Sequence, residues 1–271
     1  MQLGIQRAVS MIRTRYYDPI SLGDLASEAF FSPFHFSRVF SRETGVTPGR
    51  YLTAVRLFEA KRLLLTTSST VSDIVCSVGY NSVGTFTSRF TRLVGMTPTQ
   101  YRAPEVDELL LAVAQDFRRL PSFDEPHAGG RSRDSATGVG TYVTGAIELP
   151  VEAAPANVLV GVFDDAIPQS GPISYQYLAN VGSSRLTIPN VPPGQWNVMA
   201  IAKRADDVSA ESPLFIGSVG RPVKVISGRS TDVTLRMRAL RPSDPPIAIT
   251  LASHGSTNGD ISGHRPLRSA A

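Results

Sequence analysis

Residues 32–51 read SPFHFSRVFSRETGVTPGRY, and fifty positions later residues 82–101 read SVGTFTSRFTRLVGMTPTQY. The two stretches repeat the same residues at the same spacing: Ser32/Ser82, Phe36/Phe86, Phe40/Phe90, Arg42/Arg92, Gly45/Gly95, Thr47/Thr97, Pro48/Pro98 and Tyr51/Tyr101. Self-similarity at a fixed period indicates one structural unit that occurs twice. Upstream the register slips by one residue, so that Leu25-Ala26 matches Ile74-Val75. Turns tolerate such a change best, which places a turn between the two matched segments.

Each copy has the pattern of two short helices joined by a tight turn. Ser21 and Thr70 are suited to cap the first helices, and the second helices are predicted to span residues 32–44 and 82–94. A glycine follows both second helices, and glycine is the residue that most often ends a helix. Two short helices with such a turn make a helix-turn-helix motif. Residues 47–65 are predicted to form one long helix that holds the two motifs at a fixed separation.

The positive charge of the chain is concentrated in the half that contains the repeat. The 271 residues carry 27 Lys and Arg against 23 Asp and Glu, a formal net charge of +4. Residues 1–102 hold 12 of these basic residues and 6 of the acidic ones, so the remainder is slightly negative. A basic half indicates a polyanionic partner for that half alone.

The spaced residues of both copies resemble the DNA-binding domain of the AraC/XylS family. The motifs are Ala26-x5-Ser32-x3-Phe36-Ser37-Arg38-x-Phe40, Gly45-Val-Thr-Pro, Tyr51-Leu52 and Arg56-Leu57-x2-Ala60-x2-Leu63-Leu64, then Ile74-x4-Gly79-Tyr80-x-Ser82-x3-Phe86-x3-Phe90, Gly95-Met-Thr-Pro and Tyr101-Arg102. The resemblance covers residues 5–102 and implies a transcription factor whose second helices enter successive major grooves of double-stranded DNA. The usual member carries its sensing domain first. Here the DNA-binding part comes first, so the family's effector pocket does not carry over.

The outward faces of the two recognition helices supply the predicted DNA contacts. These residues are Pro33, Phe34, Ser37, Arg38 and Ser41 on the first helix, Val83, Gly84, Thr87, Ser88, Arg89 and Arg92 on the second, and Arg42 and Arg50 as phosphate contacts. Arg38 is the best base-reading candidate, because its planar fork matches O6 and N7 of guanine. Ser88 stands where the family often has arginine. The second helix is therefore expected to orient the protein and bind phosphate more than it reads bases.

Apolar residues on the opposite faces of these helices are predicted to form the core. They are Leu25, Phe36, Phe40, Ile74, Phe86 and Phe90. Cys76 is assigned to the inward face of a short helix as a small buried hydrophobic residue.

The second half of the chain has a different pattern. Residues 104–120 are predicted to form a connecting helix, and residues 121–138, rich in Pro, Gly and Ser, a flexible linker. In residues 139–241 the apolar period changes to two, which predicts a β-sandwich. Residues 242–271 are expected to be a mostly disordered tail. The predicted fold class is thus multi-domain, with an all-α tandem helix-turn-helix domain followed by an all-β sandwich domain.

Seven strands are predicted in the sandwich region: residues 141–149, 157–163, 173–178, 185–188, 195–203, 222–226 and 231–238. The inward residues are expected to be Val158, Val160, Val162, Leu186, Ile188, Val233, Leu235 and Met237, with Trp196 in the core. The segment SRLTIPNVPPGQWNVMAIA, residues 184–202, resembles carboxypeptidase-regulatory-like and prealbumin-like sandwiches. Such modules serve several purposes, so the fold does not give a function.

The sequence leaves the role of the β region open between sensing a small-molecule effector and forming a homodimer. RNA polymerase is a further candidate partner. An enzyme or a carbohydrate-binding module is the alternative from another class, but the scattered histidines, such as His35 and His127, do not have metal-ligand spacing. The motifs of common catalytic sites are missing, so no enzymatic activity, cofactor or metal is expected. A single cysteine and an N-terminus without a signal-peptide pattern favour a cytoplasmic location and no membrane partner.

Overall fold

The chain folds into a helical first half followed by a strand-rich second half, as the sequence predicted. The computed structural model describes residues 2–114, 116–121, 128–129, 141–207, 209 and 212–252. Its α-helices are α1 (Leu3–Arg15), α2 (Leu22–Glu28), α3 (Pro33–Thr44), α4 (Pro48–Thr66), α5 (Val71–Ser77), α6 (Val83–Val94) and α7 (Pro104–Glu108), with a 3-10 turn at Gln100–Arg102.

The first helix of each repeat begins with a capping box. The backbone N–H of Asp24 donates to Ser21 Oγ over 3.2 Å, and the Asp24 carboxylate accepts from the backbone N–H of Ser21 over 2.8 Å. Thr70 and Asp73 make the same pair of bonds at 3.2 and 3.3 Å. Each box satisfies two backbone donors that a helix N-terminus would otherwise leave unpaired. The sequence therefore fixes the starts of α2 and α5 locally.

The long helix α4 lies at the centre of the molecule. Nine of its 19 residues are buried, and they are Pro48, Tyr51, Ala54, Val55, Leu57, Phe58, Ala60, Lys61 and Leu64. Buried positions occur all around the helix because both helix-turn-helix units and the β region pack against it.

The strands are β1 (Leu110–Val113), β2 (Arg118–Arg119), β3 (Ala128–Gly129), β4 (Val143–Glu148), β5 (Ala156–Phe163), β6 (Ser174–Val181), β7 (Ser184–Ile188), β8 (Gly194–Arg204), β9 (Leu214–Ser218), β10 (Val223–Val225), β11 (Thr231–Arg236), β12 (Arg238–Ala239) and β13 (Ile247–Thr250). One sheet has the order β12-β9-β8-β5-β6-β3, with β10 also paired to β8. A second sheet has the order β11-β4-β7, in which β11 and β4 run parallel. The two sheets enclose a core and form the predicted sandwich.

The period-two pattern of the sandwich strands is confirmed. Val158, Val160 and Val162 point into the sandwich core together with the predicted residues of β7 and β11. Trp196 is also buried there, and its Nε1–H donates to the carbonyl of Pro192 over 2.7 Å. The other face of β5 carries Leu159 and Phe163 into a different apolar cluster, one shared with the helices. Both faces of this strand are therefore buried.

Parts of the sequence-based prediction of the fold are wrong. The connecting helix predicted for residues 104–120 ends at Glu108, and residues 110–113 form β1. The segment Ile247–Thr250, predicted as part of a disordered tail, is a buried strand paired antiparallel to β1. Of the predicted linker, Pro121, Ala128 and Gly129 are described, and the rest of it lies outside the described residues, as does the tail beyond Ala252.

The small sheet β13-β1-β2 joins the two halves. Leu111, Ile247 and Ile249 face a cluster that contains the first helix-turn-helix unit and the outer face of β5. Leu110 and Ala248 face the cluster of the second unit. Alternate residues of the same two strands therefore enter two different cores. The sandwich is packed on the helices through this sheet.

Candidate DNA interface

The two repeats have the same aromatic cluster behind their recognition helices. In the first, the ring centroids of Phe36 and Phe40 are 5.4 Å apart, and Tyr51 meets Phe40 edge-on at 5.5 Å. In the second, Phe86 and Phe90 are 5.5 Å apart, and Tyr101 meets Phe90 edge-on at 5.6 Å. All six predicted core residues are buried. Because these clusters fix the inner faces of α3 and α6, they also determine which residues face outward.

The outer face of α3 presents the residues that the sequence selected. Pro33, Phe34 and Arg38 are exposed, and Ser37 and Ser41 are half-buried. The Phe34 ring is 75% exposed, and the Arg38 guanidinium lies 5.8 Å from its centroid. An apolar ring beside a planar cation can meet a thymine methyl and a guanine edge. Arg42 is also exposed, at 3.8 Å from the Glu43 carboxylate.

The outer face of α6 is smaller and less charged. Val83, Gly84 and Ser88 are exposed, and Thr87 is half-buried. Arg89 turns away from this face, since its Nη2 donates to Thr53 Oγ1 of α4 over 3.0 Å. Arg89 thus links the recognition helix to the central helix, and both Arg89 and Arg92 are exposed.

Arg56 of α4 holds the two units in a fixed relation. Its Nε and Nη2 donate to the carbonyls of Tyr16 and Asp18, each over 2.7 Å, and its guanidinium lies 5.6 Å from the Tyr80 ring. Gly79, in the turn of the second unit, has φ +78°, and an added Cβ would lie 2.7 Å from the carbonyl oxygen of Tyr17. The second turn therefore packs directly on the segment that leads into the first unit.

Arg50 has a partner in the β region. The sequence assigned this arginine to phosphate, and in the structure its Nη2 forms an ion pair with the carboxylate of Asp165. Half of the Arg50 side chain is nevertheless exposed. Surface ion pairs are worth little, so the exposed part of Arg50 stays accessible to an anionic partner.

Sequence reasoning missed Phe30 and misplaced Cys76. Phe30 adopts φ +59° in the first turn, is 78% exposed, and is covered on one face by the Arg7 guanidinium at 5.2 Å. In the sequence, only the position of Phe30 in the turn between α2 and α3 indicated that its ring could be exposed. Cys76, predicted to be buried, is exposed, because Ile74 and Val75 occupy the inward face of the short α5.

The burial of Lys61 was also not predicted from the sequence. It is fully buried, and its Nζ donates to the carbonyl of Gln169 over 2.7 Å and to that of Ala248 over 2.6 Å. Burial lowers the pKa of Lys61 to about 7. This lysine ties the central helix of the DNA-binding half to a loop and a strand of the β half.

The described residues contain no group of three or more His, Cys, Asp or Glu side chains that could hold a metal ion. None of the helices described is long and apolar enough to cross a membrane.

Both helix-turn-helix units have a capped first helix, the same aromatic trio in the core and an exposed recognition face, which is the arrangement of a tandem helix-turn-helix DNA-binding domain. A helix-turn-helix domain family matches residues 25–104. An HTH-type transcriptional regulator of Mycobacterium tuberculosis is 44% identical over 81 residues, which are 30% of this chain and 31% of that protein. The lactose operon transcription activator of Staphylococcus xylosus is 35% identical over 98 residues, 36% of this chain and 35% of that protein.

Among solved structures, the C-terminal domain of the two-component response regulator YesN of Fusobacterium nucleatum is 31% identical, with a TM-score of 0.35, and the match covers 35% of this chain and 94% of that chain. The chain spans about a third of the length of the two curated relatives. Residues 25–104 form a DNA-binding domain of the AraC type, as the resemblance implied.

Proposed function

We propose that the protein regulates transcription by inserting α3 and α6 into successive major grooves of double-stranded DNA. The observation that carries this proposal is the repeated unit, in which the same buried aromatic cluster presents an exposed recognition face twice. Arg56 fixes the two faces relative to each other through its bonds to Tyr16 and Asp18. A rigid pair of readers is what recognition of two neighbouring grooves requires.

Sequence reading rests mainly on α3 in this proposal. Arg38 and Phe34 are the exposed side chains able to contact a guanine edge and a thymine methyl. On α6 the small residues Gly84 and Ser88 allow a close approach to the backbone, and Arg92 contributes charge. Arg42 and Arg50 supply phosphate contacts, which position the protein and carry no sequence information.

The β half is proposed to regulate the DNA-binding half and to have no catalytic activity. The small sheet and Lys61 connect the β half to α4. A conformational change in the β half would therefore shift α4, the helix that lies between the two helix-turn-helix units. This packing favours effector sensing over simple tethering. A homodimer and a contact with RNA polymerase stay predictions from the sequence.

The test starts with selection of bound sequences from a random DNA pool by the full-length chain. Affinity for the selected site should fall steeply with salt, since several phosphates are neutralised. Arg38→Ala should cost about 1–3 kcal/mol of binding free energy and relax preference at one base position. Ser88→Ala should change little.

Arg185→Gln is the matched control, because Arg185 is an exposed arginine on β7 of the sandwich and far along the chain from both units. It should bind the selected site as the parent does. If the folded chain selects no sequence at any salt concentration, the proposal is wrong. Equal and large losses for Arg38→Ala and Ser88→Ala would refute the division of labour between α3 and α6.

A further inference from the structure

A cavity of about 690 Å³ lies between the DNA-binding half and the β half. One wall is formed by α1 and α4, and the other by residues 241–243 and 246 with residues 114 and 116. Cavities of 300–1,000 Å³ at the junction of two domains are the usual place for small-molecule sites. Neither the recognition helices nor Lys61 lines it.

The middle of the cavity is apolar. The cavity is lined on one side by buried core residues, Val9 of α1 and Val55 and Phe58 of α4. On the other side it is lined by Ala114 and Pro246, which are also buried. Such a lining favours a compact apolar body over a sugar or a nucleotide, whose polar groups would lose their water without gaining partners.

The two ends of the cavity differ in charge. At one end Glu59 is paired with Arg62 at 2.7 Å. The negative charge of Asp116 acts at the same end, where it favours the protonated forms of Arg62 and Tyr16. At the other end lie Arg13 and Arg241, beside Asp244. Arg13 Nη2 donates to the backbone carbonyl of Asp244 over 2.9 Å.

The Asp244 carboxylate does not neutralise this basic end. It is held by Arg238 through two bonds of 2.7 Å. No carboxylate of the described residues pairs with the Arg241 guanidinium, which is exposed at the rim. An anionic group is therefore the complement of this end of the cavity.

We propose that this cavity is a binding site for a compact, apolar monocarboxylic acid, with its carboxylate at Arg241 and its apolar body against Phe58. Such a ligand touches α1, α4 and residues 241–243 and 246 at once, so it stabilises the packed arrangement of the two halves. Its effect on DNA binding rests on the proposed function above, whereas its binding to the cavity does not.

Calorimetric titration of the full-length chain without DNA tests the site. The probes are 2-naphthoate and its neutral counterpart 2-naphthamide, which share an apolar body and differ in charge. We expect saturable binding of 2-naphthoate and about two- to fivefold weaker binding of the amide, as for an ion pair at a partly exposed rim. In Arg241→Gln the two probes should bind alike, while Arg229→Gln, which removes an exposed arginine elsewhere, should keep the preference.

A second pair of variants tests the location. Ser10 lines the cavity from the exposed side of α1, so Ser10→Trp should place an indole in the space over the apolar middle and weaken 2-naphthoate binding at least tenfold. Ser27→Trp, on the exposed face of α2, should bind as the parent does. Circular dichroism confirms that each variant is folded.

Absence of saturable 2-naphthoate binding, or equal binding by the parent and a folded Ser10→Trp, would overturn the site. A preference for the carboxylate that survives Arg241→Gln would overturn the assigned orientation. These titrations contain no DNA, so a negative titration does not bear on the proposed DNA binding. Likewise, a negative DNA selection does not bear on ligand binding in the cavity.

Discussion

The buried Lys61 should make the stability of the protein rise with pH above neutrality. Burial lowers its pKa from 10.5 to about 7, so between these values the unfolded chain binds more protons than the folded one. Stability therefore increases with pH in that window, with a limiting slope of about 1.4 kcal/mol per pH unit. From pH 7 to pH 8.5 the contribution of this one group is about 1.6 kcal/mol.

Urea unfolding at the two pH values, followed by circular dichroism, measures this increment. Lys61→Met removes the titrating group while keeping a long apolar side chain, and Lys224→Met removes an exposed lysine of β10 as the matched control. The free-energy difference between the parent and Lys61→Met should grow by about 1.6 kcal/mol from pH 7 to pH 8.5. The difference for Lys224→Met should stay constant.

The test depends on how the difference in unfolding free energy between the parent and Lys61→Met changes with pH, and not on the size of that difference at one pH. That variant also leaves the carbonyls of Gln169 and Ala248 without their donor, a cost that does not depend on pH in this range. A difference that is the same at both pH values would refute the reasoning, because it would mean that Lys61 keeps an ordinary pKa when folded.

Three further pairs of substitutions follow from the repeat and the sandwich, each measured as the free energy of urea unfolding. Gly79→Ala should destabilise by more than the roughly 1–2 kcal/mol expected for Gly45→Ala, because both glycines have left-handed backbones but only Gly79 would bring a Cβ within 2.7 Å of a backbone oxygen; equal losses would show that the turn yields. Ser82→Ala should cost about 1 kcal/mol, since Ser82 Oγ accepts from the backbone of α6, and Ser32→Ala should cost less, because Ser32 makes no such bond; the reverse order would contradict the capping assignment. Trp196→Phe should lose about 0.5–1.5 kcal/mol with its hydrogen bond, and an unchanged stability would show that this bond contributes nothing.

The sequence predicted the DNA-binding half well because its information is local. The repeat supplied each apolar position twice, and the caps at Ser21 and Thr70 lie three residues from their partners, Asp24 and Asp73. Outward faces follow once the inward aromatic residues are known. The candidate DNA contacts on α3 and α6 were selected on this basis, although the partners of Arg50 and Arg89 were not predicted.

The parts that sequence reasoning missed depend on partners far along the chain. Residues 110–113 form a continuous apolar run, and such a run cannot be distinguished from a buried helix by its period alone. The strand that pairs with it, at residues 247–250, follows prolines and lies more than 130 residues away. Lys61 looks like an ordinary helix lysine, because its acceptors lie 108 and 187 residues further on.

The pairing of β1 with β13 has a consequence for the order in which the molecule is completed during synthesis. The helices of the DNA-binding half emerge from the ribosome first, and domains generally fold as they emerge. Their last covering strand, with the Ala248 carbonyl that Lys61 requires, is made after nearly all of the sandwich. A chain interrupted before residue 247 therefore has both recognition helices but an open strand edge at β1 and a lysine without one of its acceptors. Such an edge is prone to pair with other chains, so interrupted products should aggregate more readily and be favoured targets of proteolytic quality control.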